Sequence, residues 1–311
     1  MDHARSDDRG AVTERRNASG AALRSQSIRC FGWLLVTWAL GATGCTVTVG
    51  EGTLFPPRAE VLPAMAQDVV RRNIELTTAD GVVLRGWHLE KPNTRRTVIF
   101  FYGNRSSVVA SAWALHWFVE ALDANVVAFD YRGYGFSGGN ASIDLIVQDA
   151  LAIHHYAAER LGRAALPIVV IGQSMGSASA LHVAANRNVE SLVLLAPPGG
   201  LVDLLDAMRE QTPWYVSVEA DPSLTDARVS PVNDAARVRE RTLFVSGTAD
   251  ALARPGAVAR LTNACGARKK FACRLPGGHG DIRAENAEVR KCIAGFVHDR
   301  SAAPERTAPS Q

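Results

Sequence analysis

The sequence has few cysteines and lacks the spacing that binds metals. Its 311 residues include five cysteines and eight histidines, but no C-x-x-C pair and no Cys/His pattern typical of zinc. The basic residues are scattered and the net charge is only +3, which does not support nucleic-acid binding. No internal repeat is visible. We therefore expect no metal, no cofactor and no nucleic-acid partner, and the sequence does not indicate an oligomeric state.

The apolar run near the N-terminus is short for a membrane-spanning helix. It covers Phe31–Thr43, follows a polar stretch over residues 1–29, and has about the length of a signal-peptide core. Small residues then precede Cys45, as at a bacterial lipoprotein cleavage site. Residues 30–50 are thus predicted to be a signal or membrane-anchor segment, with lipid attachment at Cys45 and a location at the cell envelope. The alternatives are an uncleaved single anchor reaching about Gly50 and a buried segment.

The main part of the chain alternates between apolar strand patterns and helical patterns. This alternation predicts an α/β domain over residues 67–300, with a mostly parallel sheet and helices on both faces. We expect a linker at 51–66 and disordered tails at 1–29 and 301–311. The segment at about 198–239 is too long for one turn, and it predicts a small lid in which Trp214 and Tyr215 are candidates to line an acyl pocket. Core packing is the alternative for these two residues.

Ser174 is the candidate nucleophile. A strand pattern at Ile168–Ile171 runs into Gly172-Gln-Ser-Met-Gly176, and a helical pattern begins at once and extends to about Asn186. Strand, tight turn and helix together are the context of a nucleophile elbow. The same pentapeptide pattern recurs around Ser137, but it lies in a glycine-rich loop that no helix follows. Context therefore favours Ser174.

A serine nucleophile needs an imidazole base and a carboxylate that orients it. His279 lies in a glycine-containing loop after a late strand, whereas most other histidines of the domain fall on helical patterns. Asp250 also follows a strand, and the order Ser174, Asp250, His279 is the order that a nucleophile-elbow hydrolase requires. Asp281 and Asp203 are the alternative acids.

Two backbone N–H groups are the candidate oxyanion donors. One belongs to Met175, which follows the nucleophile and opens a helix. The other belongs to Asn104, in the loop after the predicted strand Thr97–Phe101. The alternative is that Tyr102-Gly-Asn is only a turn.

Several segments together resemble the α/β-hydrolase superfamily, in its serine-hydrolase branch with a His-Gly-Asn loop and a small lid. They are Phe100-Phe-Tyr-Gly-Asn, Phe129-Asp-Tyr-Arg-Gly-Tyr-Gly-Phe-Ser-Gly-Gly, Gly172-Gln-Ser-Met-Gly, Gly247-Thr-Ala-Asp and Gly278-His-Gly-Asp. The resemblance implies an α/β-hydrolase fold over about residues 67–300 and hydrolysis through an acyl-enzyme. The chain departs from the pattern at Tyr102, where histidine is usual, and in the Ala-Leu-Ala-Arg-Pro that follows Asp250.

These patterns predict a serine hydrolase that cleaves a carboxylic ester or thioester of a small-molecule or acyl substrate. The alternatives are an amide or peptide hydrolase and a catalytically silent binding or scaffold protein at the cell envelope. Within the domain, a Cys265–Cys273 disulfide is conceivable in an oxidising compartment. Three small buried thiols at Cys265, Cys273 and Cys292 are the other interpretation.

Overall fold

The computed structural model describes residues 45–49, 69–160, 166–213, 215–220 and 229–299. The predicted leader, linker and C-terminal tail, together with most of the predicted anchor, lie outside these residues, and their boundaries stay predictions. None of the described helices is long and apolar enough to cross a membrane. The run Phe31–Thr43 is not among the residues this finding covers.

The described residues include ten strands and seven α-helices. The strands are β1 Cys45–Val49, β2 Val70–Thr77, β3 Val83–Glu90, β4 Arg96–Phe101, β5 Ala124–Phe129, β6 Ile168–Gln173, β7 Ser191–Leu195, β8 Val216–Ala220, β9 Arg241–Gly247 and β10 Lys270–Leu275. The helices are α1 Ala112–Leu122, α2 Ile143–His155, α3 Gly176–Asn186, α4 Leu201–Gln211, α5 Pro231–Arg237, α6 Pro255–Ala264 and α7 Ala287–His298. A π-helical turn, Tyr156–Arg160, extends α2, and a 3-10 turn, His279–Asp281, precedes α7.

Eight of the strands form one sheet in the order β10-β9-β7-β6-β4-β5-β3-β2. The β2–β3 and β3–β5 pairs are antiparallel, and the remaining pairs are parallel. Every residue of β4, β5, β7 and β9 is buried, as apolar parallel strands require when helices cover both faces. The predicted α/β-hydrolase fold is confirmed.

Six of the described helices form two packing groups. Helices α1 and α7 pack against each other, and α2, α3, α5 and α6 pack in a row through successive contacts. Strand β10 is at the edge of the sheet and alternates between exposed and half-buried residues. The parallel strands β4, β6, β9 and β10 point the same way, so the loops that follow their carboxyl ends lie on the same side of the sheet. Active sites of such folds are usually found on that side.

The predicted lid segment contains α4, β8 and α5. Strand β8 pairs in parallel with β1, with Cys45 opposite Val216 and Val49 opposite Ala220. The last residues of the predicted anchor segment are therefore part of a small two-stranded sheet. Tyr215 is 56% exposed and thus is not packed in the core, while Trp214 lies outside the described residues.

The disulfide joins Cys273 to Cys292, with 6.4 Å between their Cα atoms. The Cys265–Cys273 pairing considered from the sequence is wrong. Cys265 is a free thiol at the end of α6, only 4% exposed and packed in the main core. Cys273 lies on edge strand β10, which contacts α7, so its partner is the cysteine on that helix.

Candidate active site

The turn between β6 and α3 presents Ser174 in a strained backbone conformation. Its φ is +50°, in the left-handed region that side chains other than glycine rarely adopt. The Ser174 N–H donates to the Leu195 carbonyl oxygen of β7 at 2.8 Å, and the Ser174 carbonyl accepts from Ser177 at 2.9 Å. These bonds hold the nucleophile elbow that the pentapeptide predicts.

Gly176 allows the loop after β4 to approach this elbow closely. A Cβ atom at Gly176 would overlap the Phe101 carbonyl oxygen and lie 2.6 Å from the Tyr102 carbonyl oxygen. The last glycine of the pentapeptide is therefore required by contact between the start of α3 and the backbone at the end of β4.

The Ser174 hydroxyl is hydrogen-bonded to His279. The distance from Ser174 Oγ to His279 Nε2 is 2.9 Å, within the reach that a general base needs. His279 lies in the 3-10 turn after β10, and its side chain is 25% exposed. The Gly278 N–H donates to Asp281 Oδ2 at 2.8 Å, which closes the turn that presents the imidazole.

Asp250 holds the other side of the imidazole. Its side chain has no exposed surface, and its Oδ2 and Oδ1 atoms lie 2.8 and 3.1 Å from His279 Nδ1. Oδ1 also accepts the N–H groups of Leu252 at 2.9 Å and Ala253 at 2.7 Å. Because a carboxylate only accepts, Nδ1 carries the ring proton and Nε2 is left to accept from Ser174.

The structure does not bring the alternative residues to this site. Ser137 Oγ donates to the Asp130 carbonyl at 2.7 Å and accepts the Arg85 N–H at 2.8 Å, so it fastens a loop to β3. Asp281 caps its own turn, and Asp203 is ion-paired with Arg260.

Three other histidines contact residues outside the proposed triad. His182 Nδ1 lies 2.9 Å from Asp234 Oδ2, His155 is paired with Glu159, and His298 Nε2 donates to a backbone carbonyl of α1 at 2.7 Å. Among the residues that the structure describes, no group of three His, Cys, Asp or Glu side chains is arranged to hold a metal ion.

Met175 and the loop that carries Asn104, which contain the two candidate oxyanion donors, border the nucleophile. Met175 directly precedes α3, and a Cβ atom at Gly103 would be 3.4 Å from Ser174 Cβ, so the Asn104 loop borders the same space. Within the described part of the chain, neither the Met175 N–H nor the Asn104 N–H donates to a backbone or side-chain acceptor. Both are thus available to a ligand, and their role stays a prediction.

The sequence interpretation missed how this loop is held. The Tyr102 hydroxyl donates to Asp130 Oδ1 at 3.0 Å, and the Tyr134 hydroxyl donates to Asn104 Oδ1 at 3.0 Å. The signal present in the sequence was the unusual tyrosine before Gly103. Its partners come from the loop after β5, which the sequence marked only as structural.

Comparison with known proteins agrees with this fold. Residues 92–217 match the family described as serine aminopeptidase, S33. The chain is 30% identical over 234 residues to the uncharacterized protein MT2364 of Mycobacterium tuberculosis, covering 73% of this chain and 76% of that protein. It is 27% identical over 198 residues to the alpha/beta hydrolase domain-containing protein WAV2 of Arabidopsis thaliana, covering 60% of this chain and 64% of the plant protein, just under two thirds of its length.

Solved structures show the same architecture. The esterase Pf2001 of Pyrococcus furiosus superposes with a TM-score of 0.65 at 20% identity, covering 78% of this chain and 97% of the esterase. A hyperthermophilic esterase from Pyrobaculum calidifontis gives 0.59 at 19% identity, covering 75% and 87%. At such identities the likeness concerns the fold alone. The fold and the 30% identity to the Mycobacterium tuberculosis protein together show that the chain belongs to the α/β-hydrolase superfamily.

Proposed function

We propose that this protein is a serine hydrolase that cleaves a carboxylic ester or thioester through an acyl-enzyme. The observation that carries the proposal is the continuous hydrogen-bond chain from Ser174 through His279 to the buried Asp250. Ser174, Asp250 and His279 follow three different strands, β6, β9 and β10. The hydrogen bonds between them therefore do not stabilise any single helix, strand or turn. Its geometry is that of a nucleophile, a base and an orienting acid.

In the proposed reaction, His279 Nε2 takes the hydroxyl proton as Ser174 Oγ attacks the substrate carbonyl carbon. The oxygen of the tetrahedral intermediate accepts hydrogen bonds from the N–H groups of Met175 and Asn104. The imidazolium, stabilised by Asp250, returns its proton to the leaving alcohol or thiol. His279 then takes a proton from water as the water oxygen attacks the acyl-serine. The imidazolium gives this proton to Ser174 Oγ as the acyl–Oγ bond breaks, which frees the acid and regenerates Ser174.

An amide or peptide substrate is the second candidate, because the matched family is described as serine aminopeptidase. The structural neighbours described as esterases support the first candidate only through their fold. A panel of p-nitrophenyl esters and acyl thioesters of increasing chain length, with aminoacyl p-nitroanilides beside them, separates the two. Faster turnover of the anilides than of any ester would favour the amide hydrolase.

The same panel tests the nucleophile. Ser174→Ala is expected to lower kcat by about 10⁴–10⁶-fold, and Asp250→Asn by about 10⁴-fold. Ser137→Ala is the matched control, since it removes a serine hydroxyl from the other G-x-S-x-G pattern. It should leave kcat within a few-fold of the wild type. A folded wild-type protein that hydrolyses nothing would instead favour the silent binding or scaffold alternative.

We further propose attachment at the cell envelope through the segment that ends at Cys45. The apolar run Phe31–Thr43 and the small residues before Cys45 support this, and the Cys273–Cys292 disulfide is of the kind that persists in oxidising compartments. Mass spectrometry of the detergent-extracted protein should show a lipid-modified N-terminus at Cys45. An N-terminus that retains residue 30 would contradict lipid attachment at that cysteine.

A further inference from the structure

The side chain of Tyr102 is buried beneath the loop that carries Asn104. The residue is 1% exposed, and its hydroxyl both donates and accepts. It donates to Asp130 Oδ1 at 3.0 Å and accepts the Tyr131 N–H at 3.1 Å. A phenol hydroxyl with both partners inside a core is fully satisfied, so its position is well defined.

A second hydrogen bond joins Tyr102 and Tyr131, and Tyr131 is again the donor. The Tyr131 hydroxyl donates to the Tyr102 carbonyl oxygen at 2.7 Å, and the two ring centroids are 4.5 Å apart. Each tyrosine hydroxyl thus bonds to the backbone of the other residue. These crossed bonds join the loop after β4 to the loop after β5.

Asp130 and Tyr134 extend this connection along the loop. Asp130 Oδ1 also accepts the Val108 N–H at 2.8 Å, while the Tyr134 hydroxyl donates to the Asn104 side chain at 3.0 Å. The loop is therefore fixed at Tyr102, at Asn104 and at Val108. These bonds tie the loop to the segment after β5, so its backbone has little freedom to move.

The hydroxyls in this cluster stay protonated over any working pH. Burial, reinforced by the negative charge of Asp130, raises the pKa of Tyr102 well above its ordinary value. Burial likewise raises the pKa of Tyr131. Both side chains therefore remain hydrogen-bond donors, and the loop is held in the same way at neutral and mildly alkaline pH.

We propose that Tyr102 is a positioning residue for the oxyanion site, acting through Asp130 and Tyr131 to hold the Asn104 N–H beside Ser174. This inference rests on the proposed hydrolase function. The Tyr102 hydroxyl is bonded to Asp130 and Tyr131 and to no member of the proposed triad. Oxyanion stabilisation depends on donors fixed before the reaction, so loosening the loop weakens transition-state binding more than substrate binding.

Tyr102→Phe in the full chain tests this directly, because it removes the hydroxyl and keeps the ring. We expect kcat for p-nitrophenyl butyrate to fall by about 10–100-fold, less than the roughly 10²–10³-fold loss when a donor is removed outright. KM should change by less than about threefold. An alkyl trifluoromethyl ketone forms an adduct with Ser174 in which the ketone oxygen becomes an oxyanion. Affinity for this inhibitor should fall by the same factor as kcat.

Further variants separate positioning from stability. Tyr131→Phe, which leaves the Tyr102 hydroxyl bonded to Asp130, should lower kcat by a smaller factor in the same direction. Tyr102→His restores a side-chain donor and should give a kcat between the wild type and Tyr102→Phe. Tyr156→Phe, on the π-helical turn after α2, is the matched control and should leave kcat and ketone affinity unchanged.

The outcomes that would overturn the inference are distinct from failure of the proposed function. A folded Tyr102→Phe protein with a lower melting temperature but kcat within twofold of the wild type would assign Tyr102 a structural role only. A Tyr102→Phe protein whose kcat falls while its affinity for the trifluoromethyl ketone is unchanged would exclude an effect through the oxyanion site. If instead the wild type and Ser174→Ala are equally inactive, the hydrolase proposal itself fails.

Discussion

The Cys273–Cys292 disulfide closes the segment of chain that carries His279. Its ends lie on β10 and α7, 19 residues apart, and the candidate base is between them. Both cysteines are half-buried against the main core. Breaking this bond is therefore expected to loosen both the edge of the sheet and the loop that presents the imidazole.

The size of the effect follows from the length of the closed loop. Restricting a loop of about 20 residues in the unfolded chain corresponds to ~3 kcal/mol of stability at 25 °C in the chain-entropy treatment. For a domain of this size, 1 kcal/mol corresponds to roughly 2–4 °C. Reduction should thus lower the melting temperature by roughly 6–12 °C.

The assay compares urea and thermal unfolding of the oxidised protein with and without a phosphine reductant, with thiols counted before each run. The double variant Cys273→Ala/Cys292→Ala should unfold like the reduced wild type and should not respond to reductant. Cys265→Ala is the control, since it removes a buried free thiol and should keep the full response. Identical unfolding of oxidised and reduced wild type would refute the argument.

Three further predictions concern packing and charge. Gly176→Ala should destabilise the fold by more than about 2 kcal/mol and abolish hydrolysis, because the added Cβ would overlap a carbonyl oxygen of β4. Gly295→Ala is the control, since a Cβ at that position meets no atom within 4 Å. Its free energy of unfolding in urea should be unchanged or higher. Arg132→Met leaves Asp149, 6% exposed, buried without its cation and should cost about 3–5 kcal/mol, largely recovered when Asp149→Leu is added. Burial lowers the pKa of His154 below its ordinary value, so the wild type should lose more unfolding free energy than His154→Leu as pH falls from 7 to 5, and equal losses would contradict this.

The sequence predicted most of the sheet because its signals are local. The predicted strands Ile168–Ile171 and Thr97–Phe101 correspond to β6 and β4, and the helix predicted to extend to about Asn186 is α3, which ends at that residue. Apolar runs bounded by turn residues leave little choice of structure when both faces of a sheet are covered. The change from α-helix to a π-helical turn after His155 is not visible in the apolar pattern of α2.

The predicted lid segment shows where local patterns stop being informative. Strand β8 pairs with β1, about 170 residues earlier in the chain, and neither strand was predicted. Both are short, and their pairing depends on how distant parts of the chain meet. The alternation of apolar residues within five positions does not contain that information.

The cysteine pairing failed for a related reason. Cys265 and Cys273 are near each other in sequence, but Cys265 belongs to the core beneath α6, whereas Cys273 contacts the last helix. Disulfide geometry is decided by the distance and direction of Cβ atoms, and these follow from the packing of α7 on β10.

Sequence reasoning predicted more of the candidate site than of the predicted lid segment. Ser174, Asp250 and His279 each follow a predicted strand, and a parallel sheet gathers the ends of its strands at one edge. The structure places the three side chains in hydrogen-bond contact. The bonds that join Tyr102 to Asp130 and Tyr131 could not be predicted, because they depend on side-chain positions in two adjacent loops.

The most direct test of the account is to map the site of reaction with a fluorophosphonate. This reagent phosphonylates a serine only when a base activates its hydroxyl. After digestion, mass spectrometry should find the adduct on the peptide that contains Ser174, and Asp250→Asn should label much more slowly. An adduct on Ser137, or no adduct on the folded protein, would contradict the assignment of Ser174 as the nucleophile.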